Sequence, residues 1–337
     1  MSIQLLYGEE TYLLESKLKK IKKEFGSLVK GINFIQIDES NISEIISDIE
    51  TPAFGYPTKL IIARDTGLFK KEKKTTKSKS EEKDKKVEKN NKSTTFADKL
   101  GEYLLENKKV FEQDVTLILV EQEVDKNNLY KAIEKIGTVT NFELLKLPQL
   151  IENIKKVCAA YKVNIDNNAA KYFVECCGTS MQDLMNEIRK LIEYAGENGT
   201  IQIADIDKLC IKQLESVIFD LTDNLGKKDI TNAMAVLKNL IYSKEPIQKI
   251  LITLYNHFKK LYIVKIAEKY NKDLATAMKL KPNQMFLTAK YKAQARYFTE
   301  AELNKIMKEL IDLDANYKIG LIDLNIGLES ILCRYCS

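Results

Sequence analysis

The sequence predicts an α/β segment with a mostly parallel sheet over residues 1–145, followed by helices to the end of the chain. Three observations carry this reading. Short apolar runs alternate with amphipathic stretches as far as Leu145, the pattern of strands joined by helical crossovers. These runs are nearly all apolar, as strands are when helices cover both faces of a sheet. Beyond Pro148 the periodicity is helical throughout.

In order, "IQLLY" is a strand that ends at Gly8, and Leu13 to Phe25 is an amphipathic helix. "NFIQI" is a second strand, followed by a helix from Ile42 to Glu50. "KLIIA" and "VTLILV" are clearer strands, with helices over Phe96 to Asn107 and Asn128 to Ile136 and a weaker fifth strand in "TVTNFELL". Residues 70–95 interrupt the alternation with a basic run whose one clearly apolar member is Val87. Such a run cannot bury enough surface to offset its ordering entropy, so a flexible insertion is expected.

The helical part divides on its caps. Helices start in "LIENIKKVCAAYK", at Asp166 and at Ser180, and stop at Gly178 and Gly196, giving a unit over 146–212. A second helical unit covers 213–337, with helices at Ile218 to Leu225, Ile230 to Tyr242, Ile247 to Tyr270 and Glu300 to Gly320, and "LIDLNIGLESILCRYC" closing the chain.

Composition narrows the function. The net charge is +5, but Lys70 to Lys92 holds 11 Lys against 5 acids, which leaves −1 for the rest. Positive charge is therefore not spread over a folded face, as it is in a general nucleic-acid binder. No apolar run is long enough to span a membrane and no secretion signal opens the chain, so a cytoplasmic protein is expected. Cys158, Cys176 and Cys177 read as buried thiols, and the terminal Cys333-x-x-Cys336 has no second pair at metal-ligand spacing. No metal or cofactor is expected.

Catalytic patterns are missing. A phosphate-binding loop needs glycines whose amides cradle phosphate, a lysine and a Ser/Thr for Mg²⁺. Here Gly8 is followed by Glu9 and Glu10, with no second glycine and no Gly-Lys pair. Carboxylates at a helix start satisfy the dipole and repel a triphosphate. His257 is the single histidine, and no nucleophile or base can be arranged around it. Asp65 and Glu121 follow strands without a partner motif, so no catalytic residue is assigned.

The order of features resembles the delta subunit of the bacterial DNA polymerase III clamp loader. Four places carry the resemblance: "LLYGEETYLLE", "ETPAFGYPTKLIIARD", "TLILVEQEVDKNNLYKAIEKIG", and "CGTSMQDLMNEIRKLIEYAG" with "IFDLTDNLGKKDITNAMAVLKNL" after it. The resemblance implies a degenerate AAA+ domain (1–145), a helical lid domain (146–212) and a helical collar domain (213–337). It implies a subunit that does not hydrolyse ATP. Such a subunit works beside the gamma/tau motor subunits and delta prime, binds the ring-shaped sliding clamp (beta), and helps open it for loading onto primed DNA. Gly8, Glu9 and Glu10 then replace the phosphate loop. Ala63 and Arg64 stand where the Walker B acids belong, and Gln182 stands where a lid arginine would sense the γ-phosphate. Ser-Arg-Cys, the arginine-finger motif, does not occur.

In that family an apolar pair on the turn before the "KLIIA"-type strand engages the clamp. Carried over, the pair is Ala53 and Phe54, flanked by Pro52, Gly55 and Tyr56. Independently, "TPAFGYP" brackets two aromatics with turn residues, and burying such an anchor contributes ~2 kcal/mol or more. Ala53 is small for this role, so Tyr56 or Leu60 is expected to compensate. Two other readings stand beside this one: an active P-loop-like AAA+ ATPase, and a DNA-binding protein that uses the basic arm.

Overall fold

The computed structural model describes residues 3–70, 95–243 and 245–336. The flexible insertion expected at 70–95 lies, but for its two end residues, outside the described residues. The chain divides into two compact units, Met1–Leu144 and Leu145–Ser337.

The first unit runs β1 (Ile3–Tyr7), α1 (Thr11–Phe25), β2 (Phe34–Ile37), α2 (Ile45–Glu50), β3 (Lys59–Arg64), α3 (Phe96–Glu106), α4 (Lys108–Gln113), β4 (Val115–Glu121), α5 (Asn128–Ile136) and β5 (Thr138–Asn141). The five strands are all parallel, in the order β2-β3-β4-β1-β5. Successive side chains of a strand point to opposite faces, and here both faces are buried. Leu5, Ile61, Ala63, Leu117 and Leu119 meet α2, α3 and α5 on one side. Leu6, Leu60, Ile62, Ile118 and Val120 meet Leu14, Leu18 and Ile21 of α1 on the other. That double burial explains why the strands read as unbroken apolar runs. β5 stops at Asn141, short of the expected Leu145, because the Phe142 carbonyl turns to accept from the Glu10 amide at 2.9 Å.

The second unit runs α6 (Leu147–Ala160), β6 (Asn164–Ile165), α7 (Asn167–Cys177), α8 (Met181–Ala195), β7 (Thr200–Ile201), α9 (Ile203–Leu209), α10 (Leu214–Gly226), α11 (Ile230–Tyr242), α12 (Ile247–Lys269), α13 (Leu274–Ala277), α14 (Leu287–Ala295), α15 (Glu300–Lys318) and α16 (Leu324–Cys336). Asp166 caps α7 by accepting from the Ala169 amide at 2.6 Å. Thr299 and Glu302 form a reciprocal capping box on α15. One apolar core, including Leu221, Leu237, Leu254, Phe258, Leu310 and Leu328, joins α10 to α16. Lys290 pairs with Glu175 at 2.7 Å, and the Asn283 side-chain amide donates to Thr179 at 2.8 Å, tying α7 and its following loop to the later helices. Among the described residues, no helix is long and apolar enough to cross a membrane.

Candidate functional site

Parallel register sets Tyr7 beside Glu121 and Asn141, and Arg64 beside Val120. Gly8, Asp65, Glu121 and Phe142 therefore meet at the carboxyl edge of the sheet, where open α/β sheets bind ligands. The Gly8 amide donates to the Glu121 carbonyl at 3.4 Å, and the Glu10 amide donates to the Phe142 carbonyl at 2.9 Å. Gly8 has φ 127°, and a Cβ there would lie 2.3 Å from the Phe142 carbonyl oxygen. Two amides that would cradle phosphate in an open loop are thus committed to protein carbonyls. Glu10 is buried at the start of α1, and burial pushes its carboxyl above the usual carboxylate range, against the pull of the Tyr12 and Leu13 amides. Glu9 is exposed.

At the end of β3 the side chains serve the fold. Ala63 is fully buried in the sheet. Arg64 donates to Glu15 of α1 at 2.5 Å, which holds the Glu15 carboxyl below its usual range. Both side chains are about two-fifths exposed, so the pair contributes little to stability. The Thr66 amide and hydroxyl donate to the buried Glu121 carboxylate at 2.9 and 2.6 Å. Burial raises the Glu121 carboxyl, and the two Thr66 bonds oppose that rise. Glu121 thus has a partner the sequence reading missed: its carbonyl fixes Gly8, and its carboxylate fixes the loop after β3. Gln182 lies in the other unit, exposed on α8, with its amide donating to Asn186 at 3.1 Å.

The segment between α2 and β3 is a turn with an anchored base. The Tyr56 amide donates to the Ala53 carbonyl at 2.9 Å, closing a four-residue turn. Gly55 takes the third position at φ 82°, where a type II turn requires positive φ. Phe54 at the second position is 76% exposed, so it does not fold back into the core. Pro52 and Gly55 are exposed, while Ala53 and Tyr56 are half-buried. Lys59, 2% exposed, sends its ammonium to the Asp48 carbonyl at 2.8 Å and to the Thr51 carbonyl. These carbonyls lie at the C-terminal end of α2, where a cation is favoured. Burial pushes the Lys59 ammonium below its ordinary range, with Asp48 opposing. The expectation that Leu60 compensates for Ala53 is corrected: Leu60 is fully buried in β3 against α1 and cannot reach a partner.

His257 is buried in a polar knot between α10, α12 and α14. Its Nε2 lies 3.0 Å from Thr222 Oγ1 and 2.5 Å from Gln294 Oε1. The Gln294 amide nitrogen donates to the Phe219 carbonyl and to Asp223, and the Thr222 hydroxyl donates to the Ile218 carbonyl. Both groups facing the ring are therefore acceptors, and Nε2 carries the proton. Burial pushes the imidazole down to about 4, against the Gln294 hydrogen bond. A neutral, caged histidine is a packing element here.

The family description "DNA polymerase III, delta subunit" matches residues 5–143, and "DNA polymerase III delta subunit, C-terminal domain" matches residues 215–335. The probable DNA polymerase III subunit delta of Aquifex aeolicus is 27% identical over 325 residues, spanning 95% of this chain and 87% of that protein. The DNA polymerase III subunit delta of Bacillus subtilis is 24% identical over 338 residues, spanning 98% and 92%. Among solved structures, the Bacillus subtilis DNA clamp loader delta protein shares the fold, with a TM-score of 0.71 at 23% identity, covering 100% of this chain and 95% of that one.

Proposed function

This chain belongs to the delta-subunit family of DNA polymerase III, a clamp-loader component of DNA replication, and on that premise we propose that it binds the sliding clamp through Pro52–Tyr56 and helps to open the ring. The observation that carries the proposal is Phe54, 76% exposed at the tip of a turn whose base Lys59 holds. A large aromatic on a stiff support loses little entropy on binding and buries much area, which is how hot spots work. The pair Ala53–Phe54 supplies the apolar contact to the clamp, with Tyr56 widening it. Ring opening follows by differential binding: contacts that the opened interface satisfies better than the closed one shift the ring between these states.

The chain performs no ATP hydrolysis of its own. The closed amides of Gly8 and Glu10, the buried Glu10 carboxyl, and Ala63 and Arg64 in place of metal-binding acids support this reading. Nucleotide energy comes instead from the gamma/tau motor subunits. Delta prime and primed DNA complete the assembly, in the cytoplasm. Residues 1–145 act as the degenerate AAA+ domain, 146–212 as the lid and 213–337 as the collar.

Clamp rings preloaded on circular DNA test the proposal. Adding the purified chain without ATP should speed their release. An unchanged release rate at saturating chain would overturn the ring-opening step.

A further inference from the structure

In the second unit, three metal-ligating side chains converge from α7, α8 and the end of α9. Cys177 ends α7, Glu187 lies within α8, and Cys210 is the residue that follows α9. Their ligand atoms all lie within 4.8 Å of one another. A tetrahedral zinc ion with bonds of about 2.3 Å to sulfur holds ligand atoms roughly 3.8 Å apart. Small side-chain rotations therefore close the site.

The carboxylate is already oriented. Glu187 Oε2 accepts from the Ile211 amide at 2.9 Å and from Lys190 at 2.6 Å. Such outer contacts fix a ligand in working geometry and offset its charge. Cys177 is buried and Cys210 is half-buried. A cleft of about 460 Å³ borders Cys177, Glu187 and Ile211, giving an ion a way in and room for a water as fourth ligand.

We propose that Cys177, Cys210 and Glu187 bind a zinc-class divalent transition metal. Binding releases the two thiol protons to solvent and leaves two thiolates and one carboxylate on the ion, with Lys190 beside them. The ion would tie the ends of α7 and α9 to α8, immediately before residues 211–213 lead into α10.

The test uses the full chain, titrated with Co²⁺ under reducing conditions and assayed for zinc by elemental mass spectrometry. The proposal predicts about one ion per chain, a thiolate-to-cobalt charge-transfer band, and tetrahedral d–d bands in the visible. Cys210→Ser and Glu187→Gln should each weaken Co²⁺ binding by at least about tenfold. Cys333→Ser should leave it unchanged, separating this site from the terminal C-x-x-C. Should Cys210→Ser fail to fold, the wild-type spectrum and Glu187→Gln decide. Absence of the charge-transfer band would overturn the proposal. So would a band lost in Cys333→Ser but kept in Cys210→Ser, or recovery of Cys177 and Cys210 as a disulfide from freshly purified protein.

Discussion

Acidification from pH 7 to pH 5 should cost about 2 kcal/mol of stability through His257 alone. Its imidazole titrates at about 4 in the folded chain, against an ordinary 6.5. The unfolded chain therefore takes up this proton first. The stability contributed by the neutral ring is complete above 6.5 and is lost as pH falls from 6.5 towards 4. One unit of difference corresponds to about 1.4 kcal/mol, and by pH 5 most of the unfolded histidine is charged while most of the folded one is not. Lys260, on the same helix, adds to the penalty on the charged ring. Asp220, raised by burial, titrates with the opposite sign, so a variant must isolate the histidine. His257→Gln does so, because an amide donor keeps Gln294 and Thr222 partnered. Urea denaturation followed by far-ultraviolet circular dichroism at both pH values gives the comparison. From pH 7 to pH 5 the wild type should lose about 2 kcal/mol more than the variant. Equal losses would refute the buried neutral histidine.

Four further substitutions, at three positions, probe the first unit. Lys59→Met removes the donor to the Asp48 and Thr51 carbonyls and should cost about 1 kcal/mol in urea denaturation, with weaker clamp binding from a looser turn. Glu121→Gln keeps an acceptor for Thr66 and relieves a buried charge, so at pH 7 it should be at least as stable as the wild type. Glu121→Ala strands the Thr66 amide and hydroxyl and should lose about 1–3 kcal/mol. Gly8→Ala drives a Cβ against the Phe142 carbonyl at a φ unfavourable to alanine. It should lose about 2 kcal/mol, read as a lower thermal midpoint.

The α/β unit was legible because its strands are buried on both faces: runs such as Leu60 to Ala63 and Leu117 to Val120 leave no polar break to misread. β6 and β7 were not, since two residues each carry no periodicity. α14 escaped as well, because "LTAKYKAQA" has only a weak apolar stripe. The turn at Phe54 could be seen from its Pro and Gly residues. Its anchor could not, because a lysine opening a strand looks like any surface lysine until Asp48 and Thr51 turn their carbonyls to it. Thr66 and Glu121 are 55 residues apart, and Cys177, Glu187 and Cys210 come from α7, α8 and the residue after α9. Such convergence is a product of the fold, with no local motif to announce it.

Equilibrium binding of the purified chain to the sliding clamp, without nucleotide and beside a Phe54→Ala variant, decides whether this turn is the clamp contact. The wild type should bind, and the variant should lose at least tenfold in affinity, about 1.4 kcal/mol. Equal affinities for the two chains, or no binding by the wild type, would contradict it.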